Sequence, residues 1–428
     1  MQDYRLTAAA LLKNWKGERY HFGNDVLDAL PAAVAAYGKR VLVVASLHHG
    51  TERIERQLRA LQALGITIVE GKPIPGAKPN SPREDIFRIE THILHQKPDC
   101  VLAIGGGSTI DACKAAIVLA AYGATYSADP EAYFGGGLVT KAAETTGGEI
   151  LPLIAVETAA SSGAHLTKYA NVTDVATGQK KVIVDPAITP ACAFFDYRMS
   201  HSMPQQATLA GILDGIAHVF ESFCSAKPEQ YDLLEQIALT ALHLIFRYAP
   251  RVIDDPSDAE AREAIGLATD LGGYAIMVGA TSGAHLTSFS LVNLTAHGIA
   301  CGLMSPYFTV LYSPVIQRQL RAVAPVLAAY GYLNAGPDTL DGRALAEAVA
   351  EGFLNFNRAI HAPERLTQLP GFSERYVTQI MAAAKDPSLS VKLKSMPVPL
   401  TAEEADTYML PVVRAAMDGN LAQILTKH

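Results

Sequence analysis

Up to about residue 200 the chain alternates short apolar runs with longer amphipathic ones. Arg40-Val-Leu-Val-Val-Ala45, Ile66-Thr-Ile-Val-Glu70, Val101-Leu-Ala-Ile104 and Ile150-Leu-Pro-Leu-Ile-Ala155 are apolar and too short for helices, so they are predicted strands. Residues 52–64 and 83–96 lie between such runs and repeat their apolar positions at helical spacing. Strands alternating with helices predict a parallel sheet covered by helices. Beyond Pro204 the pattern becomes helical almost throughout, over residues 207–224, 232–248, 259–278, 313–329 and 342–360, with Pro and Gly as punctuation. Residues 196–204 lack clear periodicity, which places the boundary there. The expectation is an α/β domain over residues 1–200 and an all-helical domain over 201–428.

Composition adds exclusions. A hydrophobic content of 49% supplies ample core, and a formal charge of −7 argues against a nucleic-acid or anionic-membrane surface. The 5 cysteines are odd in number and show no close pairing, so they read as buried thiols of a reducing compartment. The first residues carry no signal-peptide pattern and no apolar run reaches the ~20 residues a membrane span needs, so a cytoplasmic protein without membrane contact is expected.

Two stretches carry chemistry. In Asp214-Gly-Ile-Ala-His218-Val-Phe-Glu221 the Asp and His stand four apart, so on a helix one carboxylate and one imidazole share a face. His285 and His297 follow within a Gly-rich segment. Taken singly, each His is an ordinary hydrogen-bonded core residue. Together, one carboxylate and three imidazoles suit a borderline divalent cation such as Fe(II) or Zn(II). Upstream, the run Gly105-Gly106-Gly107-Ser108 follows the strand ending at Ile104 and opens an apolar helix containing Asp111 and Lys114. A glycine turn at a helix start offers unpaired N–H groups and the positive end of the helix to a pyrophosphate. It is not the Gly-x-Gly-x-x-Gly pattern, and many strand-to-helix turns carry glycine for packing alone.

Taken together, these stretches resemble the iron-containing (group III) alcohol dehydrogenases over roughly residues 15 to 420. The run Gly-Gly-Gly-Ser-x-x-Asp-x-x-Lys matches at Gly105 to Lys114, and Asp-x-x-x-His-x-x-x-Glu matches at Asp214, His218 and Glu221 with the Glu one place early. His297-Gly298 matches the family's His-Gly, Pro79-Asn80-Ser81 its Pro-Asn-Pro turn, and the segment from Asp185-Pro186 to Pro204 its link between domains. The resemblance implies a Rossmann-like nucleotide-binding domain followed by a helical domain, the architecture of dehydroquinate synthase. It implies Asp214, His218, His285 and His297 as metal ligands and catalytic centre. It further implies a nicotinamide dinucleotide near Gly105, Gly106, Gly107, Ser108 and Asp111, with Ser46, Asn80, Thr158, Ser162, Thr167 and Lys180 beside it; Lys181 adjoins the last.

The chain departs from that pattern in two places. Where the family has Pro-Thr-Thr-x-Gly-Thr-x-x-Glu, this chain has Glu157, Thr158, Ser161 and His165 in a loop that leaves Thr158, Ser162 and Thr167 as hydroxyl donors. Where many members carry two His four residues apart, the first 14 before the last ligand, residue 283 is Gly and His285 lies 12 before His297. His285 is therefore either the third ligand, which we adopt, or a non-ligating active-site His beside a three-ligand site completed by water. Ser162-Gly-Ala-His165-Leu-Thr167 also recurs verbatim as Ser282-Gly-Ala-His285-Leu-Thr287, a match too short to be a structural repeat.

The implied activity is hydride transfer between a small alcohol or aldehyde and a nicotinamide in an interdomain cleft, with Fe(II) or Zn(II) as Lewis acid. No carboxylate stands at the tip of the strand ending at Ala45; Ser46 and then His48 and His49 follow, which favours NADP over NAD. Spacing gives no other His a clear proton-relay role: His165 and His201 are the local candidates, each read first as structural, and a water chain is the alternative. A homodimer acting on a small-molecule substrate is expected. The rival readings are a dehydroquinate-synthase-like lyase, for which no cluster of Lys and Arg surrounds Asp214, and a metal-binding scaffold without catalysis.

Overall fold

The computed structural model describes residues 3–46, 51–174, 179–334, 336 and 339–427. The chain packs as two units: Lys13–Met203, and Met1–Leu12 together with Pro204–His428. The start of the first helix, Tyr4–Lys16, thus belongs with the C-terminal part of the chain, where Tyr4 stacks on His243 at 4.0 Å and Arg5 pairs with Glu260 at 3.1 Å.

Among its described residues the first unit holds ten strands: β1 (Tyr20–Gly23), β2 (Arg40–Ala45), β3 (Thr67–Ile68), β4 (Ile74–Pro75), β5 (Cys100–Gly105), β6 (Gly135–Gly136), β7 (Leu153–Glu157), β8 (Tyr169–Asp174), β9 (Gln179–Val184) and β10 (Cys192–Asp196). The main sheet runs β1-β10-β7-β5-β2-β3, with β4 also on β2, and every pairing is parallel. Both faces are covered, and the side chains of one strand divide between them. On β5, Val101 and Ala103 join the helices Arg83–Gln96 and Gly107–Tyr122, while Cys100, Leu102 and Ile104 join Leu27, Leu30, Ile54 and Leu58 on the other face. Two-sided burial is why these strands read as continuous apolar runs.

The expected strand at residues 66–70 shortens to β3, and that at 150–155 lies later, at β7. The antiparallel pair β8–β9, joined by β6 into a small second sheet, has no counterpart in the expected elements. Its strands alternate buried and half-exposed residues, and residues such as Asn171, Asp174 and Lys181 break up the apolar pattern.

The C-terminal unit is helical. Its centre is the helix Gln205–Cys224, packed against Ala259–Val278 and His297–Leu311. Among the described residues Gln205–Cys224 alone is long and apolar enough to cross a membrane, but 89% of its apolar window is buried inside the fold. Its apolarity serves the core that carries Asp214 and His218. All five cysteines are buried and unbridged.

Candidate active site

The helix Gln205–Cys224 presents Asp214 and His218 on one face, as the four-residue spacing requires. His285 comes from the short helix Gly283–Ser288, and His297 is the first residue of His297–Leu311. The Nε2 atoms of His218, His285 and His297 lie 3.7, 3.8 and 3.7 Å from a single oxygen, Asp214 Oδ1. These distances are too long for hydrogen bonds. They are close to the separation of about 3.4 Å between donors that share a tetrahedral ion at bond lengths near 2.1 Å. Asp214, His218 and His285 are no more than 5% exposed. The donor set, its burial and its convergence all fit a borderline divalent cation.

Neighbouring residues fix which ring nitrogens are available. His285 Nδ1 bonds Glu221 Oε2, and Glu221 Oε1 accepts from the Ala284 N–H at 2.8 Å and the Ser282 hydroxyl at 3.1 Å. A carboxylate can only accept, so the His285 proton sits on Nδ1 and the Nε2 lone pair faces Asp214. Burial pushes the Glu221 pKa up; the Ala284 N–H and the nearby Lys392 charge oppose this. Ser288 donates its hydroxyl proton to the His285 carbonyl at 2.6 Å and is left to accept from His297 Nδ1 at 3.0 Å. His297 Nε2 is thereby also a lone pair aimed at Asp214.

Close backbone approach makes this convergence possible. A Cβ at Gly298 would lie 1.9 Å from the Ala210 carbonyl oxygen and 2.7 Å from Asp214 Cβ. Only glycine lets the start of the His297 helix press onto the Asp214 helix. At Gly283 a Cβ would meet the Phe308 ring at 2.3 Å and the Tyr312 hydroxyl at 2.5 Å. A side chain at 283 would have to displace these two rings, and His285 is the residue that reaches Asp214.

The nucleotide-loop residues belong to the other unit. In the main sheet the chain leaves β2 for β3 and β4 on one side and returns to β5 on the other, so the order reverses between β2 and β5. Ligands of open parallel sheets bind beyond the carboxyl ends of the strands at such a reversal. Ser46 follows β2, and its hydroxyl meets Thr109 Oγ1 at 2.7 Å. Gly105 and Gly106 lead from β5 into Gly107–Tyr122, where the Ser108 hydroxyl accepts from the Asn80 N–H at 3.0 Å and the Ser108 carbonyl from Ser81 at 2.9 Å. A Cβ at Gly107 would lie 2.4 Å from Ser162 Oγ, which sets that hydroxyl against the turn. Ser46, Asn80, Gly105, Gly106, Gly107, Ser108 and Ser162 therefore form one connected neighbourhood around the helix start. Thr158 adjoins it through the end of β7, where Glu157 Oε1 accepts the N–H groups of Thr158 and Ala159, each at 3.0 Å. His48 and His49 lie outside the described residues.

Three of the expected cofactor residues are turned inward. Asp111 Oδ2 accepts from the backbone and side chain of Asn171 at 2.9 and 3.1 Å, Lys180 is buried on β9, and Thr167 is buried with its carbonyl on Lys114. Lys114 stands in the matched motif, but the sequence assigned it no role. Fully buried, it donates to the carbonyls of Ala164, Thr167 and Tyr169 at 2.7, 2.9 and 2.7 Å and so ties the loop after β7 to the glycine-turn helix. Burial lowers its pKa to about 8, against the pull of Asp111. The two departures at Glu157 and His165 prove to be partners: Glu157 Oε2 meets His165 Nδ1 at 3.2 Å, and His165 Nε2 meets the Tyr20 hydroxyl at 3.1 Å. The duplicated hexapeptide adopts two conformations, a 3₁₀ turn after Gly163 at φ +61° and an α-helix from Gly283, yet in both a buried glutamate takes the His Nδ1.

Two family models match in tandem, iron-containing alcohol dehydrogenase over residues 17–197 and its C-terminal family over residues 208–399. The NAD-dependent methanol dehydrogenase of Bacillus methanolicus is 27% identical over 273 residues, 63% of this chain and 67% of its own length. NADH-dependent butanol dehydrogenase B of Clostridium acetobutylicum is 27% identical over 258 residues, 59% of this chain and 62% of its own length. The matched stretch thus spans about three fifths to two thirds of these curated relatives. Among solved structures, an archaeal halo-thermophilic alcohol dehydrogenase from a Red Sea brine pool superposes with a TM-score of 0.79 at 19% identity, covering 94% of this chain and 97% of the other. An alcohol dehydrogenase from Oenococcus oeni gives 0.78 at 21% identity, covering 93% and 97%. With the helical donor set of Asp214 and the glycine turn after β5 each in place, the chain belongs to the iron-containing alcohol dehydrogenase family.

Proposed function

We propose that this protein is a metal-dependent, nicotinamide-linked dehydrogenase interconverting small alcohols and aldehydes, with Asp214, His218, His285 and His297 as the ligands of one Fe(II) or Zn(II) ion. The convergence of three imidazole Nε2 atoms on Asp214 Oδ1 supports this reading most strongly. An ion held by these four residues would supply Lewis acidity toward the substrate oxygen, and a bound nicotinamide would supply the hydride carrier. The protein's own part is positional. Glu221 and Ser288 hold the His285 and His297 protons on Nδ1, and Asp214 offsets part of the cationic charge. On the glycine-turn side, the first N–H groups of Gly107–Tyr122 and the glycine backbone at Gly106 would receive a pyrophosphate.

The carrier is read as NADP, because neutral Ser46 follows β2, although the curated relatives above are named for NAD or NADH. A panel of small alcohols and aldehydes assayed with both nicotinamides on metal-loaded protein tests the proposal. Turnover with at least one alcohol–aldehyde pair is expected. A fully metallated protein that binds neither nicotinamide and turns over none of the panel overturns it.

A further inference from the structure

Resting on the metal-site reading above, we propose that Cys301 is an additional metal-facing donor of this site, giving it thiolate character beyond the one carboxylate and three imidazoles. Cys301 stands one helical turn after His297, on the same face of His297–Leu311, and is completely buried. Its Sγ lies 3.8 Å from His297 Nε2 and 4.0 Å from Nδ1. The ligand atoms of Asp214, His285, His297 and Cys301 all fall within 4.8 Å of one another, a set without His218, which approaches it through Asp214 Oδ1 at 3.7 Å. Donors sharing an ion through one bond near 2.3 Å to sulfur and one near 2.1 Å to nitrogen are separated by about 3.6 Å. The sulfur rests against the His297 ring, about 0.2 Å beyond that separation from Nε2.

Packing holds the helix where this matters. Gly298 presses on Ala210 and Asp214, and a Cβ at Gly302 would lie 2.6 Å from Leu213 Cβ. The turn that carries His297 and Cys301 therefore cannot slide along the Asp214 helix. A coordinating thiol loses its proton to solvent on binding, and the sulfur–metal bond forms without any redox change. Thiolate character favours zinc and similar soft ions over Fe(II).

Cobalt(II) loaded into the full-length protein tests this, since thiolate bound to Co(II) gives an intense near-ultraviolet charge-transfer absorption that oxygen and nitrogen donors lack. Wild type is expected to take up one Co(II) per chain and show that band. Cys301→Ser is expected to keep the Co(II) and lose the band entirely. Stoichiometric Co(II) without the band, or a band that survives in Cys301→Ser, overturns the role of Cys301 while leaving the four-ligand site intact. Should Co(II) and Zn(II) both fail to bind folded wild type, the metal-site reading itself fails. Cys301→Ala, smaller and apolar, serves as a second variant if the serine protein does not fold, with the same band and stoichiometry read.

Discussion

Replacing Gly298 by Ala tests how the metal centre is held together. The new Cβ would sit 1.9 Å from the Ala210 carbonyl oxygen and 2.7 Å from Asp214 Cβ, both on the helix Gln205–Cys224. Neither atom is the end of a flexible side chain. Restoring ordinary contact with the carbonyl oxygen requires the two helices to part by about 1.5 Å at this point. His297 is the adjacent residue, so its 3.7 Å separation from Asp214 Oδ1 would open toward about 5 Å, wider than donors on one ion can span. Overpacking of this kind costs about 1–3 kcal/mol of stability. Equilibrium denaturation and metal titration on the same preparation measure both effects. The expected result is a folded but less stable protein, with metal affinity reduced by at least about tenfold. Unchanged stability and metal affinity together would refute the claim that this helix contact places His297.

Three further substitutions probe the other parts. In Glu221→Gln the amide can face its oxygen either to His285 Nδ1 or to the Ala284 N–H but not to both, so metal affinity should fall about 10–100-fold in chelator competition; wild-type affinity would show that Glu221 does not orient His285. At Gly106 an added Cβ meets only Ala159 Cβ at 3.4 Å and Glu157 Oε1 at 3.8 Å, so the protein itself has room for Gly106→Ala. Fluorescence titration should nonetheless give a nicotinamide Kd raised roughly tenfold or more by crowding of the phosphate, and an unchanged Kd would move the pyrophosphate elsewhere. Ser46→Asp sets a carboxylate at the tip of β2, and steady-state kcat/KM should fall far more with NADP than with NAD, since like charges cost several kcal/mol; a wild type that already prefers NAD by a wide margin contradicts the reading of that tip.

How much of this was legible beforehand varies by residue. The four-residue spacing of Asp214 and His218 survives translation into structure because a helix fixes which side chains share a face. The glycine turn after β5 is equally local. His285 was harder to place, because its position depends on Phe308 and Tyr312 closing the space at residue 283, a contact between segments distant in the chain. Asp111, Thr167 and Lys180 lie in or near the motifs, but β8 and β9 draw them inward, and that small sheet left no clear periodic trace. Glu157 and His165 read as two separate departures until the fold put them in contact. Cys301 and Ser288 had a signal in their helical spacing from His297 and His285, although spacing alone does not say which helical neighbours face a site.

Metal analysis of His218→Ala beside wild type tests the central claim most directly. Wild type, purified and reloaded with Fe(II) or Zn(II), should hold one ion per chain. His218→Ala, which removes one of the three imidazoles around Asp214 Oδ1, should lose nearly all of it while remaining folded. A folded His218→Ala protein that retains a full equivalent of metal would contradict the assignment.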